Sequence, residues 1–419
     1  MPTPEAVAAA PDFAALAGAC EGVAAPDAAE WAEHRRVAAA AMIEQGIDAV
    51  VVEPGANLLW LTGLGWHRSE RPLLALVRAG GELDVLCPAF ETRTVLERVP
   101  ELPLRPWREH EDPFAVLARA VPSLARARIA IDPSLRSFVG AGLRAALPDA
   151  RWLEQDLVLG PARAIKRPAE LARLRRANEV TKRAIEAVAQ RVVVGTRQSE
   201  IAAWMHEALL ATGMVEPWAL ALVGASASFP HGSGEDRAVA PGDVVLVDTG
   251  ASLFGYRSDI TRTWVVGEPD AAVRRAWQTV AAAQQAAFAA IRPGVRTGAV
   301  DAAARAVMAE AGYGADDRYF THRLGHGIGL EVHEPPYLVG GGTMTLQPGM
   351  TMSNEPGIYV PGAFGVRIED ILLVTRDGAD VFGPPVPPSL DVRPTSARPL
   401  VACAATAPPA RCSRARTPA

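Results

Sequence analysis

Five side chains in the second half of the sequence are of the types that bind divalent metal ions. They are two aspartates, two glutamates and one histidine: Asp248, Asp259, Glu355, Glu369 and His326. Four carboxylates in one dry pocket would repel each other strongly unless cations compensate their charge, and two divalent ions would do so. Such a pair of ions can lower the pKa of a shared water toward neutrality, which supplies a hydroxide nucleophile without a serine or a cysteine.

The sequence around the two aspartates predicts strands that would bring them together. Asp248 follows the apolar run 244–247, and Asp259 opens the strand-like segment 260–266. The residues between them contain two glycines and are typical of a turn and return. A strand, a turn and a second strand would therefore let two carboxylates that are eleven residues apart share one site.

The histidine and the two glutamates have comparable surroundings. His326 lies in Gly325-His-Gly-Ile-Gly329, where the glycines would let the backbone approach a site closely and leave the imidazole accessible. Glu355 and Glu369 each lie beside a strand-like segment. Any one of these residues has an ordinary explanation, such as a turn, a cap or a solvated strand edge, so the prediction depends on the whole set.

Composition limits the metal, the partners and the compartment. Oxygen donors with one imidazole suit Mn²⁺, Co²⁺, Fe²⁺ or Zn²⁺, and we expect two divalent ions with Mn²⁺ as the first choice. The four cysteines have no paired spacing, which fits a reducing compartment. A net charge of −5 argues against a nucleic-acid or anionic-membrane partner. We recognise neither a membrane-spanning run nor a signal peptide, so a cytoplasmic protein is expected.

The chain divides into four segments of different character. Residues 1–30 are rich in alanine and proline, and we expect a weakly ordered lead-in. Residues 31–160 alternate helix-like and strand-like patterns and predict an α/β domain, whereas residues 161–383 predict an α+β domain with all five candidate ligands. Residues 384–419 hold nine prolines and five arginines with almost no aliphatic periodicity, so we expect disorder there.

Local patterns also predict individual elements. Helical spacing over 31–47 stops at Gly46, and a long charged helix is predicted over 168–190 with Pro168 in its first turn. The strands predicted for the first domain lie at 48–52, 73–77, 83–87 and 129–131.

With the five candidate ligands in place, the sequence resembles the creatinase/prolidase/methionine-aminopeptidase superfamily. The motifs that carry the resemblance are Val247-Asp-Thr-Gly250, Ser258-Asp-Ile-Thr-Arg-Thr263, Gly325-His-Gly-Ile-Gly329, Val332-His-Glu-Pro335, Ser353-Asn-Glu-Pro-Gly357 and Gly365-Val-Arg-Ile-Glu-Asp370. The resemblance implies a pita-bread catalytic domain with two pseudo-symmetric α+β halves. Residues 31–155 resemble, more weakly, the α/β N-terminal domain of prolidases, aminopeptidases P and creatinases.

The resemblance implies a role for each ligand. Asp259 and Glu369 would bridge two metal ions. Asp248 would complete the coordination of one ion, and His326 with Glu355 would complete that of the other. Creatinase keeps this fold without the metal set, so the intact set of five favours a metallohydrolase.

Further site residues follow from the same resemblance. His231 and His333 match family positions near the scissile amide, and His322 matches an additional site histidine of aminopeptidases P. Arg367 would orient the ligands or a substrate carboxylate, and Glu355 would take the proton of the attacking water. The alternatives are structural hydrogen-bonding histidines and an exposed strand arginine.

Four more residues are weaker candidates. Tyr256 and Thr261 are candidates for groups that hold the ligand carboxylates in position. Trp66 and His67 resemble an N-terminal-domain loop that reaches the active site of a neighbouring subunit in dimeric relatives. The resemblance therefore also implies a homodimer.

Together these features predict a dinuclear-metal-dependent hydrolase that cleaves an amide bond by attack of a metal-bridging hydroxide. The expected substrate is a small peptide with an Xaa-Pro bond, as for Xaa-Pro dipeptidases and aminopeptidases P. One alternative is a relative of the same fold that acts on a small metabolite, such as an ectoine hydrolase or a sulfonium-compound lyase. Another is a non-catalytic binding module, against which the intact ligand set argues.

Overall fold

The structure, a computed structural model, describes residues 13–154, 156–314 and 316–396. The predictions for residues 1–12 and 397–419 fall outside these ranges. Among the helices of the described part, none is both long enough and apolar enough to cross a membrane.

A six-stranded mixed sheet forms the centre of the N-terminal part. Its helices and strands are α1 (Ala28–Gln45), β1 (Ala49–Val52), α2 (Ala56–Thr62), β2 (Leu74–Arg78), β3 (Leu83–Pro88), α3 (Thr92–Arg98), β4 (Leu104–Trp107), α4 (Pro113–Ala120), β5 (Arg128–Ile131), α5 (Ser137–Ala146) and β6 (Arg151–Leu153). The strand order is β4-β3-β2-β1-β5-β6. The pairs β1–β2 and β2–β3 are antiparallel, and the other three pairs are parallel.

The apolar run of β1 is buried on both faces of this sheet. Val50 packs in the same cluster as Met42 of α1, whereas Val51 packs with Leu117 of α4. Successive residues of a strand point to opposite faces, so a strand between two helical layers needs apolar residues at every position. Helix α1 ends at Gly46, whose φ of 62° is the left-handed conformation that glycine adopts most easily. The predicted end of this helix is therefore confirmed.

The first half of the C-terminal part pairs two helices with an antiparallel sheet. Its elements are the connecting helix α6 (Leu159–Ala164), then α7 (Pro168–Ala189), α8 (Gln198–Ala211), β7 (Val215–Val223), β8 (Val244–Leu253), β9 (Tyr256–Arg257) and β10 (Ile260–Val266). Strand β8 lies between β7 and β10 and also pairs with β9. Helix α7 begins at Pro168, as predicted, because proline has no N–H to leave unpaired in the first turn.

The second half repeats this plan with two helices and a second sheet. Its elements are α9 (Ala271–Ala290), α10 (Thr297–Glu310), β11 (Gly325–Gly327), β12 (Glu334–Leu338), β13 (Thr351–Asn354), β14 (Gly357–Val360), β15 (Phe364–Arg367), β16 (Asp370–Val374) and β17 (Ala379–Val381). The sheet order is β12-β11-β13-β16-β17, and β14 pairs with β15 in a separate ribbon. Short 3-10 turns occur at Ala14–Leu16, Ala89–Glu91, Pro122–Arg126 and Gly224–Ser228.

Both ends of the described chain are more ordered than the sequence predicts. Phe13 and Leu16, within the expected lead-in, are buried in the core. In the expected disordered tail, β18 (Asp391–Arg393) pairs in parallel with β10. The expectation of disorder therefore does not hold for Asp391–Arg393, because β10 offers an open edge and Arg393 forms an ion pair with Glu186 of α7. Such contacts cannot be predicted from the amino-acid composition alone.

Candidate metal centre

The first two candidate ligands lie on neighbouring strands, as the sequence predicts. Asp248 lies in β8 opposite Thr261 of β10, and Asp259 immediately precedes β10. Asp259 is buried, and its backbone N–H donates a hydrogen bond of 3.1 Å to the side-chain oxygen of Asn178. Asn178 lies on α7, so this helix anchors the turn that carries Asp259. The sequence analysis did not identify Asn178, whose only signal is its polar position on the buried stripe of α7.

The third ligand, His326, lies in β11 with its backbone tightly packed. A Cβ atom at Gly325 would lie closer than 3.0 Å to the Ser353 carbonyl oxygen, and one at Gly327 would crowd the Pro335 carbonyl oxygen in the same way. These glycines therefore provide the close approach that the sequence predicts. The His326 N–H also donates a hydrogen bond of 2.9 Å to Ser353 Oγ, which fixes the strand that carries the imidazole.

The two glutamates complete the centre from adjacent strands of the second sheet. Glu355 follows β13, and Glu369 precedes β16. Thr261 Oγ1 donates a hydrogen bond of 2.9 Å to Glu369 Oε2, and the Glu369 N–H donates one of 3.1 Å to the Thr261 carbonyl oxygen. Ser353 Oγ donates one of 3.1 Å to Glu355 Oε1. Thr261 thus joins the two sheets at the point where their carboxylates meet.

All five side chains converge at one site. The ligand atoms of Asp248, Asp259 and Glu369 lie within 4.8 Å of one another, and so do those of His326, Glu355 and Glu369. His326 Nε2 is 3.1 Å from Glu355 Oε1 and 3.6 Å from Asp259 Oδ2. Glu369 therefore lies between the two groups of ligands, and Asp259 also faces both of them.

The electrostatics of the cavity fit a pair of cations. Among the described residues, neither Asp248 Oδ1 nor Glu369 Oε1 has a hydrogen-bond partner, although both atoms are buried. Burial, and then the neighbouring carboxylates, raise the pKa of Asp259 and of Glu369 well above their ordinary values. Burial also raises the pKa of Glu355, but the hydrogen bond from His326, with the charges of His326, His322 and Arg367, outweighs burial and brings that pKa to about 2. Divalent ions would occupy the unused lone pairs and offset the repulsion.

Arg367 is buried at the end of β15 and holds the centre from one side. Its guanidinium donates hydrogen bonds to Asp248 Oδ2 at 2.6 Å, to Thr261 Oγ1 at 3.1 Å and to the Tyr359 hydroxyl at 2.8 Å. A fourth bond of 3.2 Å reaches the carbonyl oxygen of Pro230. The burial of Arg367 excludes the exposed-arginine alternative, and the orientation of ligands by Arg367 stays a prediction.

Tyr359 is a site residue that the sequence analysis missed. Besides the bond from Arg367, its hydroxyl lies 2.8 Å from His322 Nε2. Burial raises the pKa of Tyr359 to about 12, so its hydroxyl stays protonated at neutral pH. The available signal was its place in the strand that follows the Glu355 motif, opposite Gly365 in β15.

The three predicted catalytic histidines lie around the cavity. The ring of His333 is 4.1 Å from that of His326 and is exposed toward solvent. His322 is half-buried beside Tyr359, and burial lowers the pKa of both His322 and His333. His231 is exposed and follows Pro230, whose carbonyl oxygen accepts a bond from Arg367.

One predicted contact is wrong. The Tyr256 hydroxyl donates a hydrogen bond of 3.0 Å to Glu170 of α7 and contacts none of the ligand carboxylates. The same Glu170 oxygen accepts a hydrogen bond of 3.3 Å from the Trp60 indole. The Tyr256 hydroxyl therefore belongs to this group of contacts and not to the candidate metal centre. Trp66 stacks against His67 within its own chain, and the prediction that this loop reaches a second subunit stays a prediction.

Comparisons with known proteins agree with this geometry. The family model described as Metallopeptidase family M24 matches residues 172–376, and the Creatinase/Prolidase N-terminal domain matches residues 35–165. The probable dipeptidase PepE of Mycobacterium tuberculosis is 40% identical over 359 residues, which cover 84% of this chain and 94% of that protein. The Xaa-Pro dipeptidase of Pyrococcus horikoshii is 31% identical over 342 residues, which cover 81% of this chain and 93% of that protein.

A solved structure extends the similarity to the whole fold. The crystal structure of dipeptidase PepE from Mycobacterium ulcerans matches with a TM-score of 0.81 at 36% sequence identity, covering 88% of this chain and 100% of that one. The predicted resemblance, the α/β N-terminal domain with a pita-bread catalytic domain, and the metal-dependent peptidase are thereby confirmed. The chain belongs to metallopeptidase family M24.

Proposed function

We propose that the protein cleaves Xaa-Pro bonds in small peptides, as an Xaa-Pro dipeptidase or an aminopeptidase of the P type. The observation that carries the proposal is the convergence of four carboxylates and one imidazole at one site, with His333 and His322 beside it. A relative that covers most of the chain is named an Xaa-Pro dipeptidase, which supports the choice of bond.

Five residues would hold two divalent ions. Asp248, Asp259 and Glu369 surround one position, and His326, Glu355 and Glu369 surround the other. Mn²⁺ is our first choice, with Co²⁺, Fe²⁺ or Zn²⁺ as alternatives that the same donors accept. When bound, the ions would polarise the scissile carbonyl and acidify a water between them.

The remaining steps belong to side chains of the protein. Glu355 accepts the proton of the attacking water and returns it to the departing nitrogen. His333 donates a hydrogen bond to the carbonyl oxygen as negative charge develops there. His231, at the rim, contacts the amide or the product carboxylate, and His322 acts through its hydrogen bond with Tyr359.

This arrangement suits a bond before proline for a simple reason. The proline nitrogen carries no hydrogen, so an enzyme that recognises the peptide N–H at that place cannot bind it. A site that acts on the carbonyl from the metal side needs no such donor.

A substrate panel tests the proposal. Xaa-Pro dipeptides, longer Xaa-Pro peptides and ectoine would be assayed in parallel with Mn²⁺, Co²⁺ and Zn²⁺. We expect hydrolysis of Xaa-Pro substrates, and cleavage of ectoine alone would replace the proposal with a small-metabolite amide hydrolase. Asp259→Asn should lose bound metal and at least about 100-fold in activity, since a catalytic ion is worth several kcal/mol. A metal-replete, fully active variant would refute the site.

Three further proposals concern the whole protein. We propose that it is a homodimer, that it is cytoplasmic, and that its functional units run from 31 to 160 and from 161 to 383. The unpaired Cys20 and Cys87 support a reducing compartment. Size-exclusion chromatography with light scattering measures the oligomeric state directly.

A further inference from the structure

A line of buried polar side chains connects the N-terminal sheet to the segment that carries His333. It starts at Asp132, whose carboxylate accepts hydrogen bonds from the Ser134 N–H at 2.8 Å and from the Asn57 amide at 2.9 Å. The Asn57 side-chain oxygen in turn accepts a bond of 2.7 Å from Arg163. Asn57 lies in α2 of the N-terminal part, whereas Arg163 lies in α6, which leads into the catalytic part.

The line ends on Glu334, which follows His333 directly in the chain. Arg163 contacts one oxygen of the Glu334 carboxylate, and Lys166 Nζ lies 2.6 Å from the other oxygen. Glu334 also belongs to the ladder that joins β12 to β11, the strand of His326. The carboxylate is therefore held between the segment that links the two domains and a pair of strands: β11, which carries His326, and β12, which begins directly after His333.

Stability alone does not account for these buried charges. The side chains of Arg163, Lys166 and Glu334 are only 8%, 2% and 4% exposed. Taking charges out of water carries a free-energy penalty that a buried ion pair often does not recover in comparison with apolar side chains of equal size. A fully bonded buried network does fix one geometry, because each donor has a defined acceptor and no water can replace it.

The geometry of this buried network is important where the network adjoins the candidate metal centre. Glu334 directly follows His333, so holding the Glu334 carboxylate would restrain the backbone that carries the His333 ring, which lies 4.1 Å from the ring of His326. None of the residues of the line is among the candidate ligands. Their effect on the reaction would therefore be indirect.

We propose that Glu334 is a positioning residue for His333, and that Arg163 and Asn57 make the N-terminal domain part of that support. The inference rests on the proposed function, since it assumes that His333 acts on the scissile carbonyl. The N-terminal sheet would then contribute to turnover without touching the substrate.

Two variants interrupt the line at different points. Glu334→Gln removes the charge and keeps the shape, and Asn57→Leu breaks the line on the side of the N-terminal domain. In the full-length, Mn²⁺-loaded protein acting on an Xaa-Pro dipeptide, we expect kcat to fall about 10-fold for Glu334→Gln. For Asn57→Leu we expect a fall of at least about 3-fold. KM and bound metal should stay unchanged in both variants.

Glu170→Gln is the matched control. It also removes a buried carboxylate charge between the domains, but Glu170 bonds to Trp60 and Tyr256 and not to the segment of His333. Each variant would be combined with His333→Ala. If Glu334 acts through His333, the double variant should have the kcat of His333→Ala alone, whereas the effects of Glu170→Gln and His333→Ala should multiply. If the effects of Glu334→Gln and His333→Ala on kcat multiply instead, the proposal is overturned.

A measurement without substrate separates this inference from the proposed function. In protein labelled with ¹³C at the histidine rings, the His333 signal is assigned by its loss in His333→Ala. We expect that signal to shift in Glu334→Gln and Asn57→Leu and to stay in place in Glu170→Gln. An unmoved signal in Asn57→Leu would overturn the inference even if Glu334→Gln fails to fold. A wild-type protein inactive on Xaa-Pro peptides would overturn the proposed function instead.

Discussion

The carboxyl groups of Asp259 and Glu369 affect the stability of the metal-free and the metal-bound protein differently. Burial and the neighbouring carboxylates raise the pKa of both above the ordinary values of 3.8 and 4.5. A carboxyl group whose pKa is raised on folding binds more protons in the folded state, so its contribution to stability declines as the pH rises above the ordinary value. Divalent ions at the same carboxylates would remove that penalty.

A comparison of metal-free proteins tests this consequence. Between about pH 5 and pH 8, metal-free wild-type protein should lose thermal stability relative to metal-free Asp259→Asn, because the variant lacks one of the raised groups. The variant is needed as the reference because His34, His322 and His333 have lowered pKa values and act in the opposite direction near pH 6.5. Melting temperatures across this range, with and without Mn²⁺, measure the effect. A wild-type protein that gains stability relative to the variant as the pH rises would contradict it.

Thr261 offers a second test at the scale of one residue. Its hydroxyl donates to Glu369, so Thr261→Val should free that carboxylate and reduce activity or metal affinity by about 10- to 100-fold. Thr279→Val is a suitable control, since among the described residues the Thr279 hydroxyl bonds to the Arg275 carbonyl oxygen of α9 alone. Metal titration and kcat/KM measure the loss. If Thr261→Val and Thr279→Val have the same metal affinity and the same kcat/KM, Thr261 does not have the role assigned to it.

The candidate ligands and one supporting residue, Thr261, can be identified from the sequence, but the other supporting contacts cannot. Local patterns of strands, turns and glycines identify Asp248, Asp259 and His326 as candidate ligands. Asn178 supports Asp259 from 81 residues away, whereas Tyr256 bonds to Glu170, 86 residues away, and not to a candidate ligand. No local pattern specifies which polar groups will meet across such distances. The sequence therefore predicts the candidate ligands, whereas tertiary packing determines most of the contacts that hold them.

At the scale of elements, the close contact between β11 and β13 depends on the absence of side chains. Gly325→Ala would press a methyl group against the Ser353 carbonyl oxygen, which cannot move without disturbing β13. We expect the free energy of unfolding to fall by about 1–3 kcal/mol, with loss of bound metal because Glu355 follows β13. Gly378→Ala, where a Cβ would meet nothing within 4 Å, is the control. Chemical denaturation of both variants decides the point, and an undisturbed Gly325→Ala would disprove the packing argument.

The elements that the sequence predicts well are those with a strong local signal. Helix α1 ends at Gly46 and α7 begins at Pro168, because both residues have backbone preferences that act locally. Strand β18 was missed because a three-residue segment among prolines has no periodicity of its own. Its strand conformation comes from the edge of β10, which is distant in sequence.

At the scale of the whole molecule, one hydrophobic core crosses the boundary between the two domains. Met42 of α1 and Val50 of β1 belong to the same cluster as Leu174 of α7, Ile201 of α8 and Val247 of β8. The bidentate ion pair of Arg173 with Glu30 reinforces this junction. Neither part could therefore be unfolded without exposing the apolar surface of the other.

We expect the full chain to unfold in one cooperative transition and not as two domains in sequence. Leu174→Ala, in the shared core, should lower the free energy of unfolding by about 2–5 kcal/mol and shift the signals of both parts together. Tryptophan fluorescence and far-ultraviolet circular dichroism followed in the same denaturant series would measure this. Two separate midpoints in the wild-type protein would show that the parts are independent.

The pairing of β18 with β10 bears on solubility. Without these residues, β10 would present a row of free backbone donors and acceptors, and such an exposed edge invites pairing between separate molecules. The segment around Asp391 thus shields the sheet that carries Asp248 from edge-to-edge aggregation. Recombinant versions that stop before β18 would carry this exposed edge into every purification step.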